Sequence, residues 1–170
     1  METLYTALMD FEKAYLNNEP LKQVMPQLSN AFPDRYSNYT LHDLCQEMHE
    51  YYRSNHIFYL EKQLFIKNDF QKYVMTPAKA DEEFNRNNSK LVEVDNLTDE
   101  IALEGALPYP PGVFIVAPGE RWHKIDIDYF KVLLTAAKKF PGFEPEVQGV
   151  YEQNGRIVAE VLDDDKVRKD

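Results

Sequence analysis

Residues 104–122, EGALPYPPGVFIVAPGERW, constrain this chain more than any other stretch. Three prolines, Pro108, Pro110 and Pro111, stiffen the backbone around Tyr109, because each locks its own φ. Leu107 and Tyr109 each precede a proline and are driven toward extended backbone. Pro111-Gly112 and Pro118-Gly119 both suit type II turns, and the apolar residues 113–116 between them read as a buried strand. The expected result is a rigid loop, a strand, and a second turn that gathers Glu120, Arg121 and Trp122. Glu104 and Tyr109 are then held in fixed orientations by the first loop. Such a unit can simply frame a domain, its polar residues capping the strand, or it can present those residues to a ligand; stiffness serves both.

The chain before this block reads as helical. Leu4, Ala7, Leu8, Phe11, Ala14 and Tyr15 recur at helical spacing, so residues 2–16 are expected as an amphipathic helix. Asn17-Asn18 and Pro20 end it, and Pro26 and Pro33 break the next segment. Thr40 stands at an N-cap position with Asp43 three residues on, as in a capping box. From there an apolar face runs from Leu41 to about Phe65, with an expected break near Asn55. Thr76-Pro77 suits the cap and first turn of a short helix to about Arg86. Residues 91–94 and 101–103 are short β-rich runs bounded by turn residues. Residues 125–140 read as a helix with Tyr129, Phe130, Leu133, Leu134 and Ala137 on one face, stopped by Pro141-Gly142. Its acidic start and basic end suit the helix dipole. Residues 147–151 and 156–162 flank Asn154-Gly155, a dipeptide suited to the positive φ angles of a tight hairpin. The expected class is α+β: a helical half, then a small mixed or antiparallel sheet with packed helices. The expected organisation is a helical segment over 1–74, an α+β domain over 75–162, and a charged, fraying tail over 163–170.

Composition excludes more than it identifies. The 170 residues carry 29 acidic and 19 basic side chains, a formal charge of -10. That field repels phosphate backbones, so neither nucleic acid nor an anionic membrane is an expected partner. It attracts cations, diamines and basic amino acids among them. A hydrophobic fraction of 44% allows a packed core. The single cysteine, Cys45, rules out an intrachain disulfide framework. With no apolar run long enough to span a bilayer and no apolar signal core at the N-terminus, a cytoplasmic location is expected.

Residues able to carry chemistry are few. His42, Cys45 and His49 fall at i, i+3 and i+7 on one helical face, and imidazole and thiolate are good zinc ligands. A fourth ligand is not evident nearby. His49-Glu50 is followed by Tyr51-Tyr52-Arg53, so the two-histidine protease spacing fails. The plainer reading puts Cys45 in a helix seam with the histidines at its edges, and no metal site is expected. The six glycines form no phosphate loop, no serine lies in a nucleophile elbow, and a mid-helix Cys45 lacks the setting of a reactive thiol.

The block at 104–122 resembles the C-terminal domain of the bacterial ornithine/lysine/arginine decarboxylases. The resemblance continues in FPGFEPEVQGVY (140–151), MTPAKADEEFNRNNSKLVEV (75–94), YTLHDLCQEMHEYYRS (39–54) and PLKQVMPQL (20–28), so it covers nearly the whole chain. Ala106-Leu107-Pro108 and residues 145–151 resemble the ornithine branch; the other branches tend toward a TPYPPGIP-like loop. The resemblance implies a parent enzyme that uses pyridoxal phosphate to convert ornithine to putrescine and carbon dioxide. The family's Schiff-base lysine lies in a Ser-x-His-Lys motif of a large upstream domain. Here His123-Lys124 follows Arg121-Trp122, and the serine is missing. No catalytic or cofactor-binding residue is therefore expected in this chain. It is expected to partner the upstream cofactor domain of the same polypeptide, within a homo-oligomer. Glu104, Tyr109, Glu120 and Trp122 are the residues expected to line the substrate approach, where a carboxylate suits the distal ammonium. The alternative is a stand-alone, non-catalytic protein that binds a diamine or regulates an intact decarboxylase.

Overall fold

The computed structural model describes residues 2–66, 72–109 and 112–167. The fold is α+β, and the chain divides into two units: Met1–Asn55 with Lys139–Phe143, and His56–Lys138 with Glu144–Asp170.

In the first unit, helix α1 (Glu2–Leu16) follows the expected periodicity. Three short helices come next, α2 (Leu21–Val24), α3 (Pro26–Ala31) and α4 (Pro33–Tyr36). Pro26 and Pro33 break the segment as expected, and each also starts the helix that follows the break. Each occupies the first helical position, where the missing N–H has no intrahelical acceptor and the fixed φ is already helical. Helix α5 (Leu41–Ser54) opens with the expected capping box: Asp43 N donates to Thr40 Oγ1 at 3.1 Å and Thr40 N to Asp43 Oδ2 at 3.0 Å. It stops at Asn55, where this unit's first segment ends; in the second unit His56 takes a left-handed φ of 55° before α6 (Ile57–Leu64) begins. The long apolar face is thus two helices, broken where foreseen. Leu21, Tyr36, Leu41, Leu44 and Phe140 are fully buried in this unit.

One polar cluster closes the first unit. Glu47 accepts from Arg35 Nη2 at 2.6 Å, Tyr39 OH at 2.7 Å and Lys139 Nζ at 2.9 Å. The Arg35 guanidinium also lies over the Tyr39 ring at 4.6 Å, and its Nε donates to Lys139 O at 3.1 Å. Tyr36 OH donates to Pro141 O at 3.0 Å. Burial by itself would raise the Glu47 carboxyl; the donors from Arg35, Lys139 and Tyr39 outweigh it and hold the group at about 2.

In the second unit, α7 (Pro77–Asn85) is capped by Thr76, whose Oγ1 accepts from Lys79 N at 3.1 Å. Strands β1 (Ser89–Glu93), β4 (Tyr151–Gln153) and β5 (Arg156–Leu162) form an antiparallel sheet in the order β1-β5-β4, with Leu91 opposite Glu160 and Tyr151 opposite Val158. The β4–β5 hairpin turns at Asn154 (φ 52°) and Gly155 (φ 77°), the two positive angles of a type I′ turn. Strands β2 (Leu107–Tyr109) and β3 (Glu146–Gln148) make a separate antiparallel pair. Helix α8 (Lys124–Lys139) buries Ile127, Phe130, Leu133 and Ala136, while Leu134 and Ala137 are half-buried. A short helix, α9 (Asp164–Val167), closes the described chain.

Several expected elements differ. Residues 147–151 are not one strand: β3 pairs with β2 and β4 with β5, and Gly149-Val150 lies between them. Residues 101–103 form no regular strand but extend beside the end of β5, with Leu103 N donating to Glu160 O at 3.1 Å and Leu162 N to Ile101 O at 2.9 Å. Residues 113–116 form none either. Val116 makes a single bridge to Ala106, and the Phe114 ring lies over Gly105, where a Cβ would sit 2.2 Å from its Cε1. A glycine that accepts a ring in this way folds the run back onto the loop and removes it from the sheet. In the tail, Lys166 Nζ donates to Asn87 O at 3.2 Å and Ser89 O at 2.6 Å. Residues 168–170 lie outside the described residues.

Candidate functional site

All four sequence-derived site residues belong to the second unit. The turn at Pro118-Gly119 forms as expected: Glu120 N donates to Ala117 O at 3.1 Å and Gly119 takes φ 91°, which a type II turn requires at its third position. Gly119 O accepts from Val74 N at 2.9 Å and Met75 N at 3.2 Å, so the turn is anchored from outside. Pro111 of the other expected turn lies outside the described residues; Gly112 has φ 76°.

The residues of that turn have distinct fates. Glu120 Oε2 accepts from Ala117 N at 2.7 Å, so this carboxylate braces its own turn. Arg121 donates to Asp99 O. Trp122 is 0% exposed and stacked edge-on against Phe130 at 5.8 Å, and among the described residues its Nε1 has no hydrogen-bond acceptor. Tyr109, at the end of β2, is 55% exposed. Among the described residues no hydrogen bond or ion pair joins Glu104, Tyr109 and Glu120 to one another.

Glu104 instead meets residues that the sequence reading missed. Desolvation raises its carboxyl above the ordinary range, and the negative charge of Glu160 raises it further. Glu160, on β5, accepts from Ser89 Oγ of β1 and from Tyr151 OH of β4 at 3.1 Å. The Tyr151 hydroxyl is pushed up to about 12, first by burial and then by Glu160 and Glu104. Among the described residues neither Glu104 nor Glu160 has an ion pair with Lys or Arg. The one sequence signal for this cluster is Glu160 itself, a carboxylate inside the apolar run of residues 157–162. Two partly buried carboxylates without a cation form a site of unmatched negative potential, suited to a proton or a small cation.

The other candidates do not assemble. The Tyr15 ring packs against His42 at 5.0 Å, and burial raises the Cys45 thiol. Among the described residues no group of three His, Cys, Asp or Glu could hold a metal ion. No described helix is long and apolar enough to cross a membrane.

The sequence matches one family. Residues 58–163 match the family described as Orn/Lys/Arg decarboxylase, C-terminal domain, and the chain belongs to it. Among individual relatives, the chain is 44% identical over its whole length to the inducible ornithine decarboxylase of Lactobacillus sp. (strain 30a), of which it covers 24%. It is 43% identical to the ornithine decarboxylase of Haemophilus influenzae, over 90% of this chain and 21% of that protein. Among solved structures, the lysine decarboxylase A of Pseudomonas aeruginosa matches with a TM-score of 0.86 at 31% identity, over 95% of this chain and 22% of that one. The chain thus spans about a quarter of the length of the curated relatives it matches.

The family implies pyridoxal phosphate, and the residues present do not fit it. A Schiff-base lysine is held in a desolvated site, yet among the described residues no lysine is buried. Lys124, next to His123, is exposed and paired with Asp128 at 2.8 Å.

Proposed function

We propose that this chain is the C-terminal portion of a cytoplasmic, pyridoxal-phosphate-dependent decarboxylase that converts ornithine to putrescine and carbon dioxide. In this reading the cofactor and the catalytic residues reside in an upstream domain of the same polypeptide, and the enzyme is a homo-oligomer. The observation that carries it is the 44% identity to an inducible ornithine decarboxylase across the entire chain. By comparison, identity to the Pseudomonas aeruginosa lysine decarboxylase LdcA and to the Escherichia coli biodegradative arginine decarboxylase is 33% each.

The chain's own contribution is to shape the approach to the active site. Glu104, Tyr109, Glu120 and Trp122 take part at different depths: Tyr109 as an exposed wall, Glu120 as the brace of the Pro118-Gly119 turn, Trp122 as a buried anchor against Phe130, and Glu104 as the charge. With Glu160 beside it and no basic side chain to neutralise it, Glu104 supplies negative potential suited to the distal ammonium of ornithine.

The test is steady-state kinetics on the full-length enzyme with ornithine, lysine and arginine. Ornithine is expected to give the highest kcat/KM. Glu104→Gln is expected to lower kcat/KM for ornithine about tenfold, as removal of one charged contact does. Unchanged kcat/KM in both Glu104→Ala and Glu120→Ala would reduce these residues to domain braces.

A further inference from the structure

Helix α1 exposes far more apolar surface than its own unit covers. Leu4, Tyr5, Leu8, Met9, Phe11 and Leu16 are all exposed, Leu4 by 67% and Leu16 by 72%. At 3.6 residues per turn they spread over nearly half of the helix circumference, with Glu12 the one charge among them. The last turn packs within the unit, through buried Ala14 and through Tyr15 against His42. A 15-residue helix is marginal on its own in water, and a contiguous apolar face of this kind marks an interaction surface.

We propose that the exposed face of α1 docks on the portion of the same polypeptide that precedes this chain, an inference that rests on the longer decarboxylase proposed above. Two matches with different reach single out this occupant. The C-terminal-domain family covers residues 58–163 only, which lie in the second unit apart from 139–143. The Lactobacillus relative matches all of this chain, α1 included, and is about four times as long. Helix α1 therefore lies in sequence common to whole decarboxylases but outside their C-terminal domain, next in the chain to the three-quarters that the domain's name places upstream. The face is aliphatic and aromatic, which fits a packed apolar surface rather than a phosphate or a basic peptide.

Photo-crosslinking in the full-length enzyme tests this. Leu8→p-benzoylphenylalanine and Phe11→p-benzoylphenylalanine enzymes are prepared from mixed light- and heavy-isotope chains, irradiated, and mapped by mass spectrometry. The expected result is a cross-link from either position to upstream residues, within chains of one isotope. As a second readout, Leu8→Glu is expected to speed amide exchange in α1 about 100-fold in that enzyme. Light-to-heavy cross-links would instead assign the face to a second copy, and links confined to residues 1–170, or none at all, would leave it uncovered; each overturns the proposal. Ornithine decarboxylation is assayed on the same samples. An active enzyme without the upstream link sinks only this inference, whereas an enzyme inactive on ornithine, lysine and arginine sinks the functional reading.

Discussion

Glu47 and Glu104 are both partly buried glutamates, yet their surroundings drive them in opposite directions. Glu47 has two cations and a tyrosine hydroxyl within 2.9 Å, and its carboxyl is held at about 2. Glu104 has burial and a second carboxylate, and its carboxyl is raised. The contrast separates two uses of a carboxylate. One whose charge is fully matched holds a unit together and has nothing left to offer a ligand. One whose charge is unmatched keeps its potential available.

If that division holds, the Glu104 region should be sensitive to its apolar scaffold and the Glu47 region to its charges. The largest effect is then expected from Trp122→Ala. Trp122 N binds Glu100 O and its carbonyl accepts from Asp99 N, which pins the segment leading to Glu104. Removing a buried indole should cost about 3–5 kcal/mol in urea denaturation. Next comes Glu47→Gln, which strips Arg35 and Lys139 of their shared anion and should cost about 2 kcal/mol at neutral pH. A cost as small as that of an exposed ion pair would collapse the distinction. Tyr151→Phe removes one of the two donors to Glu160 and should cost about 1 kcal/mol. The smallest shift belongs to Glu104→Gln, within about 0.5 kcal/mol of the parent protein at pH 7.

Acid titration sharpens the same comparison. Glu47 is depressed from its ordinary value of 4.5 to about 2, so its stabilisation is present above 4.5 and is lost as pH falls toward 2. Glu104 is raised, so the folded state binds its proton more tightly; that contribution is present below 4.5 and fades as pH rises through the raised value. Melting temperature against pH should therefore lose part of its acid limb in Glu47→Gln. In Glu104→Gln it should lose a decline on the opposite side. Two variants with parallel profiles would refute the opposition.

Local chemistry was legible in the sequence and distant pairing was not. Thr40 with Asp43, Thr76-Pro77 and Asn154-Gly155 act within a few residues, so their caps and turns could be read directly. Pro26 and Pro33 break their segment as read, but the short helices they begin were not read, because a proline that interrupts one helix is equally suited to begin another. Residues 113–116 have strand composition, but Gly105, which takes the Phe114 ring, decides their path. Glu104 was legible as a candidate through the proline-stiffened loop. Its neighbours Glu160, Tyr151 and Ser89 were not, because antiparallel pairing of β1, β4 and β5 brings them together. The Glu47 cluster was hidden because the ends of distant helices meet in it: Arg35 and Lys139 are 104 residues apart.

The β4–β5 hairpin has a practical use. A Cβ built at Gly155 meets nothing within 4 Å, so the tip projects into open space while strand pairing resumes at Gln153 and Arg156. A longer loop carrying a dye, an epitope or a new pair of termini can replace this turn and leave the three-stranded sheet in register. That gives the protein a built-in place for a handle at the far end of the hairpin from the backbone turns of the site.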